Sequence, residues 1–253
     1  MGSDRSSEAA AGTDGAIAAT PATAPATGDP CGPTVLARLD VGDDPGGWRA
    51  LGFDVTAGVA TVGAVRLHLA GAEAGAGRGI LGWSLRGGPA VPGDVDGLPT
   101  SPADASPGPG APGDRPTPPG GHPNGAVGLD HLVVATPDLD RTTAALAAVG
   151  LAPRRTREAG GGRLQRFFRV GEVVLEVVGP AAPAGDGPAK FWGLAVTVAD
   201  LDAIVALLGD RIGRPHAAVQ PGRRIATVRA DEAVSVPLAM MSPGPGGPAA
   251  AGR

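Results

Sequence analysis

The chain has 253 residues with 21 Lys plus Arg against 25 Asp plus Glu, a formal net charge of −4, and 43 Gly and 27 Pro. That balance lacks the basic stripe of a general nucleic-acid binder, and no window approaches the roughly eighteen consecutive apolar residues of a membrane span. Cys31, the single cysteine, permits no intrachain disulfide, as expected of a cytoplasmic protein.

Residues 1–32 are mostly Ala, Thr, Gly, Ser and Pro. They bury too little apolar surface to offset ordering entropy and read as a disordered tail. In residues 33–99, TVLARLDVG reads as a strand and DDPGGWRALGF as a short helix despite its glycines. DVTAGVATVGAVRLHLAG then gives two or three strands, and RGILGWSLRG another. Residues 100–127 form a Pro/Gly-rich linker ending in His122-Pro123-Asn124-Gly125, whose Asn-Gly pair is a turn by itself.

Residues 128–242 carry the clearest pattern. Residues 129–135 are a Val-rich apolar run with His131 inside it, a buried strand. Thr136 is the expected N-cap of a helix, with Pro137 at its first position and Gly150 as its stop; Leu139, Thr142, Leu146 and Val149 recur at helical spacing. Strands are expected over 152–158, 163–170 and 172–178, and the glycines at 160–162 form a hairpin turn, since they open no helix. The pattern then returns. A strand over 192–198 leads into a helix capped by Asp200, with an apolar stripe of Leu201, Ile204, Val205 and Leu208; candidate strands follow over 215–220, 224–229 and 234–241. TPDLD and VADLD, each ahead of a helix ending in Gly, mark an internal repeat of roughly fifty to sixty residues. Laid on the later unit, GAVRLHLAG matches GEVVLEVVG, so His68 falls on Glu176 and residues 33–99 read as a worn copy with a truncated final unit. Residues 243–253 are a second disordered tail.

Two βαβββ units carrying DHLVV…PDLD, VVLEVVGP and GLAVTVADLDA resemble the vicinal oxygen chelate superfamily, which includes glyoxalase I, bleomycin-resistance proteins, fosfomycin-modifying enzymes and extradiol dioxygenases. The resemblance implies an α+β fold in which tandem βαβββ units form a cup-shaped mixed sheet, with a degenerate copy at 33–99. It also implies a divalent metal held by a His on the first strand of each unit and a carboxylate on the last. His131 and Glu176 match those positions in the first unit, whereas Gly193 and Ala239 stand there in the second. Three protein ligands are the common minimum for a catalytic metal. A metal on His131 and Glu176 therefore needs a further ligand, of which His68 is the foremost candidate, followed by Glu172, His122 and His216. Two other accounts stand beside it: a metal-free pocket in which the pair binds a polar ligand or acts as acid and base, or a remnant pair satisfied by hydrogen bonds. On either, a buried Glu176 needs a neighbouring His or Arg.

Arg163, Gln165, Phe167 and Arg169 alternate onto one strand face, as do Arg223, Ile225, Thr227 and Arg229. A cup lined by either face would suit an anionic ligand, and a solvated rim is the other reading. Trp83 and Trp192 occupy corresponding places in the repeats, in the core or under a pocket. The function implied is a glyoxalase-like protein holding a small polar or carbonyl-bearing molecule in the cup of 128–242. It is either a lyase-, isomerase- or dioxygenase-type enzyme or a metal-free drug- or metabolite-sequestering protein of the bleomycin-resistance type. That last group works as dimers, so a homodimer is the oligomer it implies; no nucleic-acid or membrane partner is expected.

Overall fold

A computed structural model describes residues 32–71, 77–89, 93–103, 121–229 and 234–244. Cys31, nearly all of both expected tails and the middle of the linker lie outside the described residues. The N-terminal part forms β1 (Val35–Val41), α1 (Pro45–Ala50), β2 (Val59–Val62), β3 (Val65–Leu69), β4 (Ile80–Arg86), β5 (Asp94–Val95) and β6 (Leu98–Pro102). These strands make one sheet in the order β2-β3-β1-β4-β6-β5. The C-terminal part forms β7 (Ala126–Ala135), α2 (Leu139–Ala148), β8 (Pro153–Gly160), β9 (Arg163–Val170), β10 (Val173–Pro180) and β11 (Lys190–Val198). After these come α3 (Leu201–Leu208), β12 (His216–Ala217), β13 (Arg224–Thr227) and β14 (Leu238–Met241). Its sheet runs β12-β13-β14-β11-β7-β10-β9-β8.

Each sheet is a pair of half-units meeting at an antiparallel seam. β7 pairs β11 across one seam and β1 pairs β4 across the other. Within each half the first strand runs parallel to the last: β7 with β10, β11 with β14, β1 with β3 and β4 with β6. The repeat survives at single residues. A Cβ added to Gly193 would lie 2.6 Å from the Pro237 carbonyl oxygen, and one added to Gly82 would lie 3.0 Å from that of Pro99. In both sheets a glycine lets the seam strand pass close to its parallel neighbour. The expected α+β architecture of tandem βαβββ units in two cupped mixed sheets is therefore the one observed, with the N-terminal copy reduced.

Strand alternation divides the faces. On β10, Val173, Leu175 and Val177 are buried in the core while Val174, Glu176 and Val178 face the other way. One apolar core, including Trp48, Leu67, Trp83, Leu132, Phe168 and Leu175, runs across both sheets, and burying each such side chain contributes about 1.5–3 kcal/mol. α2 starts later than the sequence suggests. Asp138 is its N-cap, accepting from the amides of Asp140 and Arg141, while Thr136 Oγ1 accepts from the Asp138 amide in the preceding turn. The carboxylate reaches two amides where the hydroxyl reaches one. Asp200 caps α3 as expected. The last strand begins only at Leu238, because Pro237 has no amide to enter the ladder. No helix among the described residues is long and apolar enough to cross a membrane.

His122-Pro123-Asn124-Gly125 fastens the chain together. His122 is buried, with Nδ1 accepting from the Asp54 amide at 2.9 Å and Nε2 donating to the Thr61 carbonyl at 2.8 Å. Asn124 Nδ2 donates to the Leu51 carbonyl at 3.0 Å. A residue considered as a metal ligand is thus spent on backbone groups of the first sheet.

Candidate functional site

The open face of the second sheet can be read row by row from its register. Phe167 pairs with Glu176, Glu176 with Val133, and Val133 with Gly193. In the next row Arg169 pairs with Val174, Val174 with His131, His131 with Ala195, and Ala195 with Ala239. His131 and Glu176 thus stand on one face of adjacent strands, and both line a cavity of about 640 Å³. A smaller chamber of about 480 Å³ adjoins it and shares His131, Arg155, Phe167 and Gln220 with it.

Three strand irregularities aim the side chains. On β7, His131 pairs with Ala195 and Leu129 with Val196, leaving Asp130 as an extra residue. This bulge turns two consecutive side chains toward the same face, which a regular strand forbids. Asp130 Oδ1 then lies 2.7 Å from His131 Nδ1. The Asp130 carboxylate also accepts from Thr197 Oγ1 at 2.7 Å and from Arg223. Burial alone would raise the Asp130 pKa, but the hydrogen bonds from His131, Arg223 and Thr197 outweigh it and hold the carboxyl well below the usual carboxylate range. The Asp130 carboxylate facing Nδ1 favours the Nδ1–H tautomer of a neutral His131 ring and leaves Nε2 turned toward the cavity. The Gln220 amide nitrogen lies 3.4 Å from that Nε2.

On β11, Phe191 pairs with Val134 and Gly193 with Val133, so Trp192 is extra and is pushed to the cavity rim, 61% exposed. Trp83, at the corresponding place in the first sheet, is buried and donates to Thr100 Oγ1 at 2.7 Å. On β8, Pro153 pairs with Phe168 and Arg155 with Phe167, so the extra Arg154 shifts the phase and brings Arg155 and Arg157 onto the cup face. Their guanidiniums lie 5.0 and 5.3 Å from the Phe167 ring centroid. Arg157 Nε donates to Gln165 Oε1, and Gln165 Nε2 donates to Glu176 Oε1. Burial pushes the Glu176 carboxyl above its ordinary value, and the His131 and Arg157 charges pull it only part of the way back.

The other residues weighed from the sequence are dispersed. His68 lies on β3 in the first sheet, half-exposed, with Nδ1 3.2 Å from Asp40 Oδ1, and it lines neither chamber. Glu172 lines the smaller chamber and His216 the larger, at the far end of the sheet from Glu176. Gly193 and Ala239 occupy the matching positions of the second half-unit, and the Cβ of any side chain at Gly193 would strike Pro237. Among the described residues no group of three His, Cys, Asp or Glu is placed to hold a metal ion. The donor set at His131 and Glu176 therefore falls short of a three-ligand site. Sequence reasoning passed over Asp130, Arg155, Arg157 and Gln220. Asp130 did leave a signal: two consecutive polar residues in an otherwise apolar strand need a bulge or a bad burial.

No protein-family model matches the chain, and no curated protein is recognisably similar to it in sequence. Solved structures are similar in fold. A triple variant of 4-hydroxymandelate synthase from Streptomyces coelicolor superposes with a TM-score of 0.51 at 16% identity, over 83% of this chain and 92% of that one. Methylmalonyl-CoA epimerase from Mycobacterium tuberculosis matches 48% of this chain and 91% of its own, at 20% identity and a TM-score of 0.39. A variant of the Streptomyces coelicolor epimerase bound to 2-nitronate-propionyl-CoA matches 46% and 94%, at 20% identity and a TM-score of 0.38.

Proposed function

The chain has the vicinal oxygen chelate fold, and from that premise we propose that its second cup binds a small carbonyl-bearing molecule and moves a proton on it, an isomerase- or lyase-type reaction. The observation that carries this reading is the Asp130–His131 pair, which orients Nε2 toward a cavity that Glu176 also lines. His131 Nε2 takes the proton from the carbon beside the carbonyl. Asp130, 2.7 Å from Nδ1, holds the ring in place and stabilises the imidazolium that forms. Glu176, whose burial favours the protonated form, is placed on the same cavity face to give a proton to the carbonyl oxygen as the carbon proton leaves, so that an enol forms without a free oxyanion. Return of the proton from His131 to the same carbon, and of the enol proton to Glu176, closes the cycle. Where that carbon bears a hydroxyl, the enediol instead takes the proton on the former carbonyl carbon and gives the proton of that hydroxyl to Glu176, which moves the carbonyl by one carbon. No step passes through a metal, because the two donors do not make a ligand set.

A second reading, sequestration without chemistry, draws on the apolar wall and the exposed Trp192 at the mouth. Exchange of α-protons for deuterium, followed by NMR on acetone, pyruvate and 2-oxobutyrate in heavy water, separates the two. Catalysed exchange that falls about 10²–10⁴-fold in His131→Gln and in Glu176→Gln is the expected result. Binding without exchange would favour sequestration. A rise in thermal midpoint with Mn, Co, Ni or Zn, lost in both variants, would instead return the metal account.

A further inference from the structure

The cup is divided chemically, and the division names a ligand class. At one end Arg155 and Arg157 rest over Phe167. Arg155 makes no ion pair or side-chain hydrogen bond with another described residue, and Arg157 makes only the Gln165 contact. Two guanidiniums thus converge on one wall with no carboxylate bound to either. At the other end the wall is mainly apolar, with Ala195, Val219, Ile225, Ala239 and Met241 beside His216 and Thr227, and it holds no arginine or carboxylate. Trp192 and Val219, 61% and 67% exposed, extend this apolar surface to the rim. Large apolar side chains gathered at the mouth of a cavity mark a surface that a ligand covers. His131 and Glu176 stand between the two ends.

Resting on the proton-transfer reading above, we infer that the ligand is an amphipathic monocarboxylate, with its carboxylate on Arg155 and Arg157 and its apolar body along the β11–β14 wall beneath Trp192. A neutral ligand would leave Arg155 without an anionic partner and Arg157 with only Gln165 and the charge of Glu176. A small polar one would leave the apolar wall wet. A dianion would crowd the carboxylates of Asp130 and Glu172 that line the smaller chamber.

The test is calorimetric titration of the full chain with 4-phenylbutyrate, its neutral amide 4-phenylbutyramide, butyrate and phenyl phosphate. Phenylbutyrate is expected to bind about tenfold or more tightly than the amide and the phosphate. That preference should vanish in the Arg155→Gln/Arg157→Gln double variant and persist in Arg155→Lys/Arg157→Lys. Trp192→Ala should weaken phenylbutyrate and leave butyrate unchanged. The inference is overturned by equal binding of acid and amide, by a preference that survives the double Gln variant, by tighter binding of the phosphate, or by no binding of the acid at millimolar concentration. His131→Gln should retain phenylbutyrate binding. An arginine-dependent acid preference without proton exchange would remove the catalytic reading and leave this ligand class standing.

Discussion

Asp130 and Glu176 are two buried carboxyls with opposite protonation tendencies, and each gives stability a different dependence on pH. The Asp130 pKa is depressed in the folded chain. Its contribution is therefore complete above the unfolded value of about 4 and is lost as pH falls through the folded value. The Glu176 pKa is raised. Its protonated form is favoured by folding, so its contribution is complete below about pH 4 and is lost as pH rises through the folded value. Chemical denaturation of Asp130→Asn should show a stability deficit that is full at neutral pH and shrinks below about pH 4. Glu176→Gln should grow more stable relative to the parent as pH rises above about 4, and a flat difference would contradict the assignment. His131 and Glu176 were singled out in the sequence by their match to the resembled family's ligand positions, and each is a polar residue in an apolar strand. Arg155 and Arg157 were not, because strand alternation predicts their face only when the phase is known, and the extra Arg154 resets it.

At the scale of elements, the site is built by bulges and one glycine contact. Regular pairing would send Asp130 away from His131, fold Trp192 back into the ladder and turn Arg155 to the other face. Apart from the consecutive polar pair at Asp130 and His131, such irregularities leave no signature in the sequence, so element positions could be read from hydrophobic period while the aim of most side chains could not. Helix α2 shows the same limit on a smaller scale: TPDLD signalled a helix start, but choosing Asp138 over Thr136 required the amide geometry. Gly193 tests this level. A methyl group there would sit 2.6 Å from the Pro237 carbonyl oxygen, so β11 and β14 must part. Gly193→Ala should cost about 1–3 kcal/mol in denaturant unfolding and lower affinity for any cup ligand. Tolerance of Ala with unchanged stability would mean the seam is looser than described.

At the scale of the molecule, the repeat makes two sheets of similar plan, but only the second keeps the His and Glu of a cup. The first has Arg38 and His68 in the corresponding rows, tied to Asp40, and its Trp83 is core where Trp192 is rim. The tandem plan was legible from motif spacing. The fastening was not, since Asn-Gly reads as a turn whatever it holds. His122 accepts from the Asp54 amide and donates to the Thr61 carbonyl, tying the end of the linker to the N-terminal part of the chain. His122→Ala should therefore destabilise the chain by about 1–3 kcal/mol while leaving ligand affinity within about twofold, as unfolding and calorimetric titration would show. A large loss of affinity with unchanged stability would place His122 in the site instead.

The central claim is that Asp130 fixes the proton of His131 on Nδ1 and turns Nε2 toward the cavity. It can be measured directly by ¹⁵N NMR of the imidazoles in histidine-labelled protein, a set of four rings that His131→Gln assigns. The account predicts that the neutral ring of His131 is the Nδ1–H tautomer with a downfield Nδ1 proton, and that Asp130→Asn abolishes this signature. An Nε2–H tautomer at His131, or a spectrum indifferent to Asp130→Asn, would contradict it.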